Sequence, residues 1–461
     1  MSPSATESPP AVPPRVLELA QRAADGGARA LLVGGCVRDR LLGRAPRDWD
    51  LEIYGASREQ AEGWVGAMGF DHSGWVQRRA PLLFVGGAGL ALEISVIPDC
   101  DAGDLEAGFS REAAGRDLTI NAIGCDPLTG EVYDPFGGRE DLVAGRLCEV
   151  DVARFGEDPL RALRVARFAA SLGAEPAAGL LRLCAAQDLS RVAPERILME
   201  FEAILATDRP SVGLSVLERT GCLDCVPELA ALVGVPQDPR WHPEGCVWTH
   251  TLMVVDEAAR LRRGDSEADR LLLWGALLHD LGKPATTETV ADGGVRSHGH
   301  DREGERSARA LLGRLRASGR FRDAVPALVR HHLAPALLVG QGAKDRAYRR
   351  LARKLAAQGV DGDLLERLAR ADHLGRTTED ALARRFEAGD AFRLRLEALS
   401  VLHEPALTRV YGRDVIARGI APGPEVGNVL ARCEVIADTT GWTDSERILQ
   451  QALREHGRDG G

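Results

Sequence analysis

The hydrophobic period of this chain changes once, near Phe155, and that change restricts its fold more than any other feature. From Ala30 to about Val150, short apolar runs alternate with Gly-rich turns, the pattern of strands mixed with helices. From Phe155 onward, apolar residues recur mostly at helical spacing and strand signals nearly vanish. The expectation is an α+β chain, a mixed-sheet head followed by a long all-α body. No run approaches the roughly 18–20 apolar residues that a membrane span needs, so no membrane partner is expected. Met1 to Pro14 is rich in Pro and Ser, lacks the apolar core of a secretory signal, and reads as a disordered tail. The 9 cysteines are scattered and odd in number, which argues for a reducing cytoplasm rather than a disulfide framework. Cys222 and Cys225 form a lone CxxC with no second pair or nearby His, and are read as coincidental.

The formal net charge of −10 does not favour a polyanion, but binding follows local patches rather than totals. One basic stretch holds Lys344, Arg346, Arg349, Arg350, Arg353 and Lys354; another holds Arg384, Arg385, Arg393 and Arg395. By themselves both read as solvated helix faces.

The head carries the sharper chemistry. Ala30–Val33 reads as a strand, followed by Gly34-Gly35 and a helical stretch with Val37, Arg38 and Asp39. Glycines between strand and helix let backbone approach a phosphate, although such a pair is often only a turn. Asp48-Trp-Asp-Leu-Glu-Ile-Tyr54 alternates with period two, which puts Asp48, Asp50 and Glu52 on one face of a strand. Carboxylates so placed repel one another unless a cation lies between them, and Mg²⁺ suits oxygen ligands and substrate phosphates together. A solvated edge strand would show the same pattern. Leu90–Ile97 is a second strand, interrupted by Glu93, a candidate third carboxylate. Further on, Glu157-Asp-Pro-Leu-Arg-Ala-Leu-Arg-Val-Ala-Arg-Phe168 opens a helix with Pro159 in its first turn. Arg161, Arg164 and Arg167 share one face of that helix, opposite Leu160, Leu163 and Val165.

In order, Gly34-Gly35-x-Val37-Arg38-Asp39, Asp48-x-Asp50, Arg116-Asp117-x-Thr119-Ile120-Asn121-Ala122, Asp134-Pro-Phe-Gly-Gly138 and Glu157-Asp158-x-x-Arg161 closely resemble the motifs of the bacterial-type (class II) CCA-adding tRNA nucleotidyltransferases. Bacterial poly(A) polymerases carry the same head. The resemblance covers roughly residues 30–205 and implies a polymerase-beta-like nucleotidyltransferase head. It implies Mg²⁺ at the catalytic Asp48 and Asp50 with Glu93 as third carboxylate. Gly34, Gly35 and Arg38 would meet the triphosphate, and Arg116 and Asp117 the sugar. Asp158 and Arg161 would read the base, with Arg164 and Arg167 in support. A carboxylate accepts from the amino group of cytosine or adenine while a guanidinium donates to the adjacent ring acceptor, so one pair can select CTP and ATP without a template. Two departures stand out. Gly115 occupies a position where the family often has a second Arg, and Gln77-Arg-Arg-Ala-Pro-Leu-Leu-Phe-Val-Gly-Gly87 replaces a loop usually rich in Gly and basic residues. Whether C, A or both are added stays open on that account.

In the body, His250, then His279-Asp280, then Asp372 resemble the HD phosphohydrolases. That resemblance implies one or two divalent metals at His250, His279, Asp280 and Asp372, with Ni²⁺, Mn²⁺ or Mg²⁺ compatible with imidazole and carboxylate. His298, His300, His331 and His332 are further candidates for ligands or phosphate contacts. Some CCA-adding enzymes carry such a domain with phosphatase and 2′,3′-cyclic phosphodiesterase activity. Gln237–Gly245 reads as a polar, Pro-bearing connection. The expected organisation is tail and lead-in helix (1–27), head (28–150), helical neck for nucleotide and RNA (151–236), HD domain (237–400) and C-terminal helical tail (401–461). The expected partners are tRNA or another RNA 3′ end, ATP and CTP, with no DNA. The alternatives are a poly(A) polymerase, and an HD phosphohydrolase with a nucleotide-sensing head.

Overall fold

The computed structural model describes residues 10–69, 71–76, 82–87, 90–100, 103–291, 294–403 and 410–459. Most of the tail expected to be disordered, and residues 77–81 of the segment that departs from the family pattern, lie outside them. The chain forms two compact units, residues 1–191 and 192–461. The division falls inside the 151–236 stretch, so the arginine-bearing helix Arg161–Leu172 belongs to the sheet unit.

The first unit is built on a seven-stranded mixed sheet. Its strands are β1 (Arg29–Val33), β2 (Trp49–Tyr54), β3 (Asp71–Val76), β4 (Leu82–Gly87), β5 (Leu90–Ile97), β6 (Gly124–Cys125) and β7 (Val132–Tyr133), in the order β3-β4-β5-β2-β1-β6-β7. Only β2 and β5 pair in parallel; the other neighbours are antiparallel. Each strand's alternation divides its apolar residues between two cores. Leu32, Leu51, Ile53 and Ile94 pack with Val16 and Leu19 of the helix Pro14–Asp25 and Val65 of the helix Arg58–Ala67. On the other face, Leu31, Val33 and Tyr54 pack with Phe109 and Ala113 of the helix Leu105–Ala113. Asp50 and Glu52 stand on this second face. Strand β2 starts at Trp49, so Asp48 lies exposed one residue before it.

Among its described residues the second unit is helical apart from a small hairpin, Thr287–Thr289 with Val295–Ser297. Pro424, behind Gly423, occupies the first turn of the helix Pro424–Thr440, where its missing N–H costs nothing. That helix packs against Ser445–Asp459 around Cys433, Ile436 and Ile448. No helix among the described residues is long and apolar enough to cross a membrane. All nine cysteines are free, including Cys222 and Cys225 in a 3₁₀ turn.

Candidate functional site

The first candidate site lies on the second face of the head sheet. Parallel pairing of β2 with β5 places Glu93 directly beside Asp50. Burial, and then the Glu93 charge, push the Asp50 carboxyl up to about 6 against the opposing pull of Arg116. Two acids held together in a half-buried setting suit a divalent cation with oxygen ligands. Among the described residues, however, no three head acids bring oxygens within 4.8 Å of one another. Asp50 and Glu93 form the inner pair, and Asp48 stands at the solvent edge.

The glycine turn comes close to this pair. Gly34 has φ +69°, and a Cβ there would lie 2.6 Å from Arg116 Nη1 and 3.5 Å from Asp50 Oδ2. Only glycine accepts that conformation and that approach together. Arg116 Nη2 donates to Glu52 Oε1 at 2.8 Å and Nη1 to the Asn121 carbonyl at 3.0 Å. Burial opposes the Arg116 charge, but Glu52 and Asp50 outweigh it and raise its pKa above the usual value. Asp117 is buried and accepts from Arg164 Nε at 2.6 Å, from the Asn121 amide at 3.0 Å and from the Leu118 N–H. Burial would raise its pKa, but Arg164 and these hydrogen bonds hold it below the usual carboxylate range.

Arg38 donates to Asn121 Oδ1 at 2.6 Å, and its guanidinium lies 5.2 Å from the Phe168 ring centroid. Arg164 and Arg167 lie 5.6 and 4.6 Å from the same centroid. One aromatic ring thus gathers three cations from two helices. The half-buried face of Arg161–Leu172 carries Arg161, Arg164 and Arg167, with Ala162, Leu163 and Val165 buried behind them. Arg161 donates to the carbonyls of Arg154 and Gly115 at 2.8 and 2.6 Å, and Asp158 Oδ1 accepts from the Leu160 N–H. Sequence reasoning did not single out Glu52 as the partner of Arg116, Asn121 as the link between Arg38 and Asp117, or Phe168 as the hub. Glu52 was visible on the acidic face. Asn121 and Phe168 stood inside quoted motifs, but their contacts depend on tertiary placement.

The second candidate site is in the helical unit. His250 on the helix Val247–Arg260, His279-Asp280 at the end of Ser266–Leu278, and Asp372 on Gly362–Leu374 come together, all buried. His250 Nε2 is 3.0 Å from Asp372 Oδ1, and His279 Nε2 is 3.1 Å from Asp280 Oδ2. The ring nitrogens of His250 and His279 and an Asp372 oxygen form one group of potential metal donors. Asp280, His300 and His332 form another. His279, His300 and His332 each direct Nδ1 at a backbone carbonyl, of Ala276, Ser297 and Val329 respectively, which leaves Nε2 as the lone-pair nitrogen. His300 Nε2 and His332 Nε2 are 3.4 Å apart, and His300 Nε2 is 3.5 Å from Asp280 Oδ1. His279 Nε2 is fully buried without an aligned hydrogen-bond partner. Lone pairs converging in this way fit bound cations.

Burial, with His279 and His300 alongside, drives His332 down to about 3, so it is neutral, as a ligand must be. Burial opposes charge on Asp280 and Asp372. His279 and Lys283 beside Asp280, and Arg376 and His250 beside Asp372, hold both carboxyls well below the usual range.

The polar segment before His250 is more than a connection. His242 and Glu244 extend the site, with Glu244 Oε1 2.9 Å from His242 Nδ1 and 2.8 Å from His250 Nδ1, the latter off the axis of its N–H. A His and a Glu so close before His250 was the available signal. Lys283 Nζ, 2.7 Å from Asp280, and Arg376, 3.2 Å from Asp372, were also missed. Of the further histidines, His298 is exposed at the rim of the same cavity. His331 lines a separate cleft with Arg330 and Lys354, because adjacent residues at a helix end point in different directions.

Residues 98–148 match the family model of the poly A polymerase head domain, 182–232 the probable RNA and SrmB-binding site of polymerase A, and 247–376 the HD domain. Fold and sites together define a nucleotidyltransferase head joined to an HD body. The chain is 34% identical over 433 residues to the multifunctional CCA protein of Stenotrophomonas maltophilia (strain K279a), covering 88% of this chain and 98% of that one. It is 37% identical over 321 residues to the multifunctional CCA protein of Actinobacillus pleuropneumoniae serotype 5b (strain L20), covering 65% and 74%. The chain belongs to the multifunctional CCA protein family. Its fold is that of the Bacillus stearothermophilus CCA-adding enzyme in complex with CTP, with TM-score 0.66 at 22% identity over 97% of this chain and 100% of that one.

Proposed function

We propose that this protein adds CCA to tRNA 3′ ends from CTP and ATP, with release of pyrophosphate. The observation that carries this reading is the pairing of Asp50 with Glu93 beside the Gly34 turn, in a chain of this family. The 3′ oxygen of the RNA forms a bond to the α-phosphorus, the bond from that phosphorus to the bridging oxygen breaks, and the hydroxyl proton passes to solvent. Asp48, Asp50 and Glu93 would hold Mg²⁺, which would supply activation of the hydroxyl and offset charge on the phosphates. Gly34 and Gly35 admit the triphosphate, and Arg38 with the arginines around Phe168 supplies its counter-charge. Arg116 and Asp117 fix the sugar end. Asp158 and Arg161 read the amino group and ring acceptor that cytosine and adenine share. The division into tail, head, neck, HD domain and C-terminal tail, with boundaries at 27, 150, 236 and 400, goes with this reading, as does a cytoplasmic location where the thiols stay reduced.

We further propose that the helical unit is a metal-dependent phosphohydrolase. His250, His279 and Asp372 hold one divalent cation, of which Ni²⁺ and Mn²⁺ match the donors best, and Asp280, His300 and His332 hold a second. Cations held there would supply Lewis-acid activation of a water for attack on a phosphoester. Lys283 and Arg376, ion-paired at the cluster, are placed to offset charge on a phosphoryl group.

The deciding experiment supplies tRNA ending at its discriminator base with CTP, ATP or both. CMP incorporation from CTP alone supports the reading. Incorporation of A alone favours a poly(A) polymerase, the function in the name of the matching head model. Extension that survives replacement of Asp48 and Asp50 by Ala removes the head as the catalyst, and phosphoester hydrolysis by a wild-type protein that incorporates neither nucleotide favours a hydrolase with a nucleotide-sensing head.

A further inference from the structure

The two basic stretches look alike in the sequence and differ in the structure. In the second, Arg384 pairs with Glu257, Arg393 with Asp363 and Arg395 with Asp345, so that charge is met within the fold. The first lies on the helix Asp345–Ala356, which buries Tyr348, Leu351, Ala352 and Leu355 and carries its cations in two rows. Arg349 donates to the Asp438 carbonyl at 3.2 Å, and Arg353 lies 2.9 Å from both Glu434 and Asp438, so this row fastens the helix Pro424–Thr440. In the other row, Arg346, Arg350 and Lys354 are exposed, and their side chains take no hydrogen bond or ion pair among the described residues. The spacing i, i+4, i+8 sets them along one line about 12 Å long. Lys354 ends that line at the cleft of about 550 Å³ that also holds His331.

A solvated helix face ordinarily mixes acids with its bases, and like charges four residues apart destabilise a helix. Residues 346–360 contain no acid, in a chain of net charge −10. A line of cations kept without counter-charges suits a partner that brings its own row of anions. Each step of the line advances about 6 Å along the helix, near the distance between neighbouring phosphates of one strand. We propose that Arg346, Arg350 and Lys354 form a docking surface for the sugar–phosphate backbone of the RNA substrate, engaging phosphates other than those of its terminal nucleotide. The helix lies outside residues 182–232, the stretch that matches an RNA-binding model. The surface deepens the CCA-adding reading and rests on it for the identity of the RNA. Phosphate contacts of this kind fix register and orientation without reading sequence, so the surface accepts any substrate of the right shape.

The test uses the full chain and tRNA lacking its CCA end, titrated by fluorescence anisotropy over a range of salt concentrations. One variant combines R346Q, R350Q and K354Q; a second combines R346K, R350K and K354R and keeps every charge. The neutral variant is expected to bind tRNA about 10-fold more weakly at low salt, with a slope of log affinity against log salt shallower by roughly 2–3. The charge-keeping variant should retain wild-type affinity. In CMP incorporation the loss should fall on KM for tRNA, with kcat and KM for CTP unchanged. Equal tRNA affinity and salt slope in wild type and neutral variant overturn the proposal. So does a loss that the charge-keeping variant shares, or one that moves KM for CTP as well, since either signals a displaced helix. A neutral variant that keeps tRNA but loses polyglutamate also overturns it, in favour of an acidic protein partner. If wild type binds tRNA through this row yet incorporates neither nucleotide, the docking surface stands and the CCA-adding reading falls.

Discussion

Glu52 Oε1 accepts from Arg116 Nη2 at 2.8 Å, and this pair sets the charge beside Asp50. Glu52 shares a face with Asp50, so without Arg116 three acids would stand together at the end of β2 and β5. Replacing Glu52 by Gln keeps an acceptor for the guanidinium but frees its charge to pull on Asp50 and Glu93. The expected result is a folded protein, about 1–2 kcal/mol less stable by denaturant titration. Its dependence of CMP incorporation on Mg²⁺ should shift to higher concentration. An unchanged Mg²⁺ profile would show that Arg116 is insulated from the acids.

The Gly34 turn leads to a second expectation. Gly34→Ala puts a methyl carbon 2.6 Å from Arg116 Nη1 and forces a left-handed φ on a residue with a side chain. The strain costs about 1–3 kcal/mol, read as a lowered melting temperature. Nucleotide addition should fall further than stability accounts for, because the displaced guanidinium is the partner of Glu52. Gly43→Ala is the control, since it has a similar φ of +70° but nothing within 4 Å of its Cβ. It should show strain without the loss of addition.

Metal binding to the histidine cluster should appear as stability. An ion that binds only the folded state adds about 2.7 kcal/mol at 100 times its Kd. Mn²⁺ or Ni²⁺ should therefore raise the melting temperature of the chelator-treated protein. His332→Ala and Asp372→Asn should each reduce that rise, while His331→Ala, which faces a separate cleft, should leave it intact. Equal responses in all three variants would place the binding elsewhere.

Spacing alone made the chemistry visible where it lies along one local element; where the fold joins distant ones, as at His250, His279 and Asp372, only the family resemblance pointed to it. Period-two alternation placed Asp50 and Glu52 on one face, and three-residue spacing placed Arg161, Arg164 and Arg167 on another, because those periods are fixed by backbone geometry. The convergence of Arg38, Arg164 and Arg167 on Phe168 joins helices more than a hundred residues apart, and no spacing rule encodes it. His242 and Glu244 were hidden for a different reason. They sit in an irregular segment whose polar, Pro-bearing composition is the same whether it merely connects helices or furnishes ligands. The separation of His331 from His332 was open in the sequence, since neighbours at a helix end can be sorted only by what packs against each.

Asp141 gives a pH dependence of stability that does not involve a metal-binding carboxylate. Its carboxylate accepts from Thr119 Oγ1 at 2.7 Å and from Arg146 Nε and Nη2 at 3.0 and 2.7 Å, joining the helix Gly138–Ala144 to the turn that bears Asn121. Burial alone would raise its pKa, but the Thr119 and Arg146 hydrogen bonds outweigh it and hold the group below the usual carboxylate value. Below that usual value, near 4, the unfolded chain takes up the proton first, so acid favours unfolding. The stabilisation is complete above pH about 4 and is lost as pH falls through the lower folded-state value. Asp141→Asn should cost on the order of 1 kcal/mol at pH 7, a figure reduced by solvent screening at Arg146. Its deficit relative to wild type should shrink as unfolding is measured at progressively lower pH. A deficit that stays constant down to pH about 3 would mean that the Asn amide, not the lost charge, disturbs the turn.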